Sequence, residues 1–125
     1  KKIINTENAP APIGPYNQAI LSNGTLYISG QIPINPKSGA LVSGDIKLET
    51  KQSMENLKAI LTEAEMTFEH VVKSSIFLSD MNQFTDVNEV YATYFNAETA
   101  PARETVEVAN LPKFVNVEIS MIAVK

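Results

Sequence analysis

The chain has 125 residues, 44% of them hydrophobic and 19% charged, an ordinary balance for a globular domain able to bury a core. Acidic residues outnumber basic ones, giving a net charge of −4 with scattered lysines, so a nucleic-acid face, which needs clustered positive charge, is not expected. With no cysteine and a single histidine, His70, the chain has no disulfide, no thiolate nucleophile, no cysteine or histidine metal cluster and no serine triad.

The first residues lack the apolar stretch of a signal peptide, and no apolar run approaches a membrane span. A cytoplasmic location without membrane contact is the resulting expectation. His70, alone in Phe68-Glu69-His70, reads as a structural or surface group.

Lys2-Ile3-Ile4-Asn5 reads as a short opening strand, and the proline- and glycine-rich residues 8–15 as a loop. The apolar runs 18–22 and 26–32 flank Asn23-Gly24, the dipeptide of a tight hairpin. Pro33, Pro36 and Lys37-Ser38-Gly39 mark a second loop. Met54, Leu57, Ile60, Leu61 and Ala64 recur at helical spacing and predict a helix starting near 46–48, capped by Asp45. Residues 71–78, rich in β-branched side chains, return as a strand. Val87, Val90, Tyr91, Tyr94 and Phe95 predict the buried face of a second helix, with Asp80 or Asn82 at its start. Two final strands, near 103–108 and 115–124, are joined through Leu111-Pro112.

This β-β-β-α-β-α-β-β order predicts an α+β domain over residues 1–125, a mixed sheet covered on one face by two helices. The uncovered face, carrying Ile122, Val124 and either Ile76 or Phe77, is expected to be buried by self-association.

Arg103 is the only arginine; the other nine basic residues are lysines. A guanidinium grips a carboxylate or phosphate with two parallel hydrogen bonds, which a lysine cannot do. It also suits a single surface ion pair. The glycines at 14, 24, 30, 39 and 44 form no phosphate loop. The remaining candidate for chemistry is Arg103 with Glu118. If the last two strands form a hairpin about Leu111-Pro112, Arg103 lies opposite Ser120 and Thr105 opposite Glu118, all on one face. A one-residue slip would separate them. Together they read either as a cross-strand salt bridge or as a carboxylate-binding fork beside a carboxylate that handles water.

Ile13-Gly14-Pro15-Tyr16, Ser29-Gly30-Gln31-Ile32-Pro33, Val87-Asn88-Glu89-Val90-Tyr91, Pro101-Ala102-Arg103 and Val117-Glu118-Ile119 resemble, nearly end to end and in order, the Rid (reactive intermediate deaminase) family. The nearest likeness is its RidA branch, the 2-iminobutanoate/2-iminopropanoate deaminases. The resemblance implies a chorismate-mutase-like fold assembled as a homotrimer, with a central barrel of sheets and sites at the subunit interfaces. It implies hydrolysis of enamine and imine acids to 2-oxo acids and ammonia, with no cofactor and no metal. By position, Arg103 would bind the substrate carboxylate with the backbone N–H of Thr105. Glu118 would activate water, with Ser29 nearby, and the Gly30 carbonyl would orient the imine nitrogen. Tyr16 would close the pocket from a neighbouring subunit, and Asn88 would belong to its rim. Thr105 stands where many relatives carry cysteine, Glu104 where a small residue is usual, and Glu65 where glycine is frequent. Strand alternation should turn Glu104 away from Arg103. A non-catalytic sensor of 2-oxo or amino acids is the alternative, and RNA cleavage or translation inhibition a further one.

Overall fold

The computed structural model describes residues Lys1–Lys125. Its strands are β1 (Lys2–Ile4), β2 (Ala19–Ser22), β3 (Thr25–Gln31), β4 (Val71–Leu78), β5 (Ala102–Glu107) and β6 (Val117–Val124). Helix α1 (Ile46–Glu63) lies between β3 and β4, and α2 (Phe84–Ala92) between β4 and β5. One six-stranded sheet runs β1-β2-β3-β6-β4-β5, antiparallel throughout except between β4 and β5. The predicted α+β order is the observed one.

Helix α1 begins where the sequence places it. The Asp45 carboxylate accepts hydrogen bonds from the Lys47 and Leu48 N–H groups, satisfying donors that no earlier carbonyl can reach. Its apolar stripe, Met54, Leu57, Ile60 and Leu61, is fully buried. Asp80 caps a short 3₁₀ turn, Met81–Gln83, that leads into α2, which itself has no side-chain cap. Val87 and Tyr91 are buried, whereas Tyr94 and Phe95 lie past the helix end and pack edge-on against Phe68. The His70 ring accepts a hydrogen bond from the Thr67 N–H at 2.9 Å, a structural capping role.

Strict alternation along β6 sets the two sheet faces. Val117, Ile119, Met121 and Ala123 are buried in the main core, while Glu118, Ser120 and Ile122 point the other way. Ile76 is buried in the core, so Phe77 is the residue of β4 on the outer face. That face also carries Tyr27, 51% exposed, and Val106; no element of the chain covers it.

The expected hairpin between the last two strands does not form. β4 lies between β5 and β6, pairing with β5 in parallel and with β6 antiparallel. The physical reason is the α2 crossover, which returns β5 alongside β4 in the same direction, as βαβ units do. The connection from β5 to β6 then steps across the end of β4, where the Ser79 N–H meets the Asn116 carbonyl.

Candidate active site

The displaced pairing decides where Arg103 and Glu118 point. Across the sheet Arg103 aligns with Ser74 and Met121, and Thr105 with Ile76 and Ile119. These partners belong to the helix-covered face. Glu118 aligns with Phe77 and Val106, on the outer face. The expectation that Arg103 and Glu118 share a face is therefore overturned. Two strand spacings, roughly 9.6 Å, and the thickness of the sheet separate them.

Arg103 is held from below and from one side. Its Nη1 donates to Asn88 Oδ1 on α2 at 2.8 Å, and its guanidinium carbon lies 4.9 Å from the Tyr91 ring centre and 5.7 Å from that of Phe84. The Tyr91 hydroxyl donates to Ser74 Oγ, fixing the platform, and burial pushes the phenol's pKa up. Both ion pairs of the chain, Lys47–Glu89 and Lys73–Glu104, use lysine; no carboxylate meets Arg103. The surface-ion-pair reading is thus excluded, and the fork keeps donors free.

β5 is an edge strand, and its backbone alternates between β4 and solvent. The Val108 N–H donates to the Leu78 carbonyl just past the ladder. In a parallel pair every second residue turns its amide to the same neighbour, so 104 and 106 face β4 while 103 and 105 face the free edge. The Thr105 N–H is therefore available next to the guanidinium. Its hydroxyl is buried and unpartnered, facing the layer beneath. Glu104 turns to the outer face, as alternation requires. There it pairs with Lys73 at 2.6 Å and accepts from the Ser75 hydroxyl, and these two contacts lower its pKa.

Glu118 lies in a cleft of about 360 Å³ lined by Ile13, Tyr16, Ser29, Gly30, Ile32 and Pro112. A bulge between Ile28 and Gln31 breaks the β3–β6 register opposite it. Gly30 sits in that bulge, where a β-carbon would stand 2.8 Å from Glu118 Cδ and collide with Oε1. Any larger residue at position 30 would push the carboxylate from this position. Glu118 makes no hydrogen bond or ion pair, and burial alone pushes its pKa above the usual carboxylate range.

Ser29 is tied by its hydroxyl to the Asn17 carbonyl at 2.7 Å and by its N–H to the Gln18 carbonyl. Gln18, which sequence reasoning did not single out, is buried. Its side chain donates to the Thr6, Ala9 and Pro10 carbonyls and accepts from the Thr6 N–H, anchoring the loop that carries Ile13 and Tyr16.

The predicted residues therefore form two groups. Arg103, Asn88 and the Thr105 N–H stand at the β5 edge; Tyr16, Ser29, Gly30 and Glu118 line the cleft on the other face. Tyr16 lines the same cleft as Ser29, Gly30 and Glu118, on the side of the sheet away from Arg103. Of the two rings beside Arg103, helical spacing reads Tyr91 as core, and Phe84 carries no signal in the sequence reasoning.

The Endoribonuclease L-PSP family profile matches residues 6–125. A RutC family protein of Pyrococcus horikoshii is 55% identical over all of this chain and 98% of its own. The mouse 2-iminobutanoate/2-iminopropanoate deaminase is 49% identical over all of this chain and 92% of its own length. The chain belongs to the Rid (YjgF) family. Among solved Rid structures, the Escherichia coli YjgF gene product superposes with a TM-score of 0.93 at 45% identity, covering 100% of this chain and 99% of that one. Escherichia coli TdcF, solved with bound serine, gives 0.94 at 41% identity with the same coverage. The mixed sheet with two helices is the Rid architecture.

Proposed function

We propose that this protein is a cofactor-independent deaminase of reactive enamine and imine acids, working as a homotrimer with a chorismate-mutase-like barrel and sites between copies. The observation that carries this reading is a pair of unsatisfied opposite charges, Arg103 and Glu118, on opposite faces of one sheet. Neither completes a site within its own chain. Seating the outer face of one copy against the β5 edge of the next brings the two halves together and covers the apolar residues left bare.

In the assembled site the free donors of Arg103 and the Thr105 N–H take the substrate carboxylate; charged hydrogen bonds of this kind contribute roughly 1.5–3 kcal/mol each. The enamine is protonated at C3 to the imine, whose C2 is electrophilic. Glu118, made more basic by burial, takes a proton from water as its oxygen bonds to C2. The carbonyl of Gly30, in the bulge beside Glu118, accepts from the imine nitrogen. The nitrogen takes both protons of the water, one returned by Glu118 and one from the new hydroxyl, as the C2–N bond breaks, giving ammonia and a 2-oxo acid. Positioning and one base suffice for an electrophile this reactive.

The mouse relative's name and the full-length likeness support this reading. A second one, a non-catalytic sensor of small acids, is favoured by TdcF having been solved with serine. A coupled assay separates them. A threonine dehydratase supplies 2-aminocrotonate in low-amine buffer, and 2-oxobutanoate is followed with and without the protein. Faster release is expected from the parent and not from Arg103→Ala. A folded parent that gives no acceleration leaves the sensor.

A further inference from the structure

Residues 6–16 form an irregular loop that supplies one wall of the Glu118 cleft, through Ile13 and Tyr16. The hydrogen bonds of these two wall residues stay local. The Ile13 N–H donates to the Tyr16 hydroxyl at 3.3 Å, and the Tyr16 N–H to the Gly14 carbonyl at 2.8 Å. Every hydrogen bond that leaves the loop ends on the side chain of Gln18. Its Nε2 donates to the carbonyls of Thr6, Ala9 and Pro10 at 3.0, 3.2 and 2.9 Å, and its Oε1 accepts from the Thr6 N–H at 2.7 Å.

The main chain of the same residue holds the opposite wall. The Gln18 carbonyl accepts from the Ser29 N–H at 2.9 Å, one residue before Gly30 in the bulge that receives Glu118. Gln18 is 2% exposed and lines the small annex, about 30 Å³, where Pro10, Ile13 and Tyr16 meet Gly30 and Ile32. It is therefore bonded to both walls without lining the cleft itself. A primary amide supplies donors for carbonyls and an acceptor for an N–H from one uncharged group. A carboxylate would face three carbonyl oxygens, and an apolar chain would leave them unpaired. Ala9 is buried in the main core, so without the amide the loop keeps that anchor while residues 10–16 lose theirs.

We propose that Gln18 is a positioning residue for the deaminase reaction: it fixes the separation of the Ile13–Tyr16 wall from the Ser29–Gly30 wall, and with it the fit of the substrate. This rests on the deaminase reading of the cleft. Gln18 acts through the loop and not on the reacting atoms, so its loss weakens the hold on substrate more than it slows the chemical step.

The test compares the parent with Gln18→Met, which keeps the length without the amide, and with Gln18→Glu. Each is assayed on 2-aminocrotonate at a temperature where its circular dichroism is native. KM should rise about tenfold, with kcat changed by less than about threefold. A role in stability alone lowers the active fraction and leaves KM unchanged, and that result overturns the proposal. The route through the loop is checked in a cycle with Ile13→Ala, which should raise KM in the parent and not in Gln18→Met. Equal effects in both backgrounds overturn it too.

Native-state hydrogen exchange of the parent decides the matter if both variants unfold. The Thr6 amide is bonded to Gln18 and lies outside the cleft lining. Saturating 2-oxobutanoate should slow its exchange more than that of the buried Leu57 amide in α1; equal slowing overturns the proposal. If a folded parent deaminates nothing, the deaminase reading fails by itself. Calorimetric titration with 2-oxobutanoate then decides on Gln18: Kd should weaken about tenfold in Gln18→Met, and an unchanged Kd, or no binding by the parent, overturns the assignment.

Discussion

Arg103 and Glu118 occupy opposite faces of one sheet with β4 between them, and neither has a charged partner. The guanidinium is fixed by Asn88 and stacked on Tyr91, so its free donors point in a set direction at the open edge of β5. The fork geometry, and not the charge alone, should therefore matter. Arg103→Lys keeps the charge but loses paired hydrogen bonding, and should raise KM by ~10–100-fold with the fold intact. Steady-state kinetics on 2-aminocrotonate, with circular dichroism of the variant, checks this.

Gly30 and Glu118 form a steric pair. Gly30→Ala drives a methyl into the carboxylate side chain and should cost about 1–3 kcal/mol while displacing Glu118. In a Glu118→Ala background the same methyl meets open space, so its cost should fall sharply. Urea unfolding of the four proteins in this cycle measures the coupling; an equal cost in both backgrounds would mean the carboxylate does not set the limit at Gly30.

The pH dependence follows from the direction of the Glu118 shift. Its folded pKa is raised by burial, so the base form accumulates only above the ordinary glutamate range. Activity should rise with pH along an acid limb lying above that range, and Glu118→Gln should remove the limb with most of the rate. A pH profile of kcat/KM in parent and variant shows whether the limb belongs to this residue.

Glu49 gives a stability effect of known sign. It is buried near the start of α1, its Oε1 accepting from Asn116 Nδ2 at 3.0 Å, and burial raises its pKa. A raised carboxyl pKa means the folded state holds the proton more tightly than the unfolded chain. Stability therefore falls as pH rises from the ordinary glutamate value through the folded one. Glu49→Gln should be more stable than the parent at pH 7 and should match it below the ordinary value. Chemical unfolding at pH 7 and at pH 3.5 tests both ends.

Glu65 ends α1 in the left-handed conformation, φ 59°, with the Met66 N–H bonded to the Leu61 carbonyl and its own N–H to that of Thr62. Glycine suits this position of the motif. Glu65→Gly should stabilise the protein by about 0.5–1 kcal/mol, visible as a higher Tm with activity unchanged.

Much of the fold is legible from local signals, because Asp45, the α1 stripe, Asn23-Gly24 and the β-branched run of β4 each specify their element without help from distant residues. Strand order is not. The choice between a β5–β6 hairpin and insertion of β4 depends on the α2 crossover and on which edge of β4 is free, which no local pattern encodes. For that reason the residues of the candidate site were nameable from sequence while their division between two faces was not. The same holds for Gln18, whose hydrogen bonds go to a loop with no periodicity to reveal them. Glu104 was legible, since alternation alone turns it away from Arg103.

The most direct test is to mix two inactive variants. Arg103→Ala lacks the carboxylate fork and Glu118→Ala lacks the base, and each alone should be inactive. If every site takes Arg103 from one copy and Glu118 from its neighbour, subunit exchange creates sites in which both are intact. A one-to-one mixture, exchanged by mild unfolding and refolding and verified by native mass spectrometry, should recover roughly a quarter of the parent's deaminase activity, as random pairing around a closed ring gives. An exchanged mixture that stays inactive, beside an active parent treated identically, would contradict a site built from the two faces of neighbouring copies.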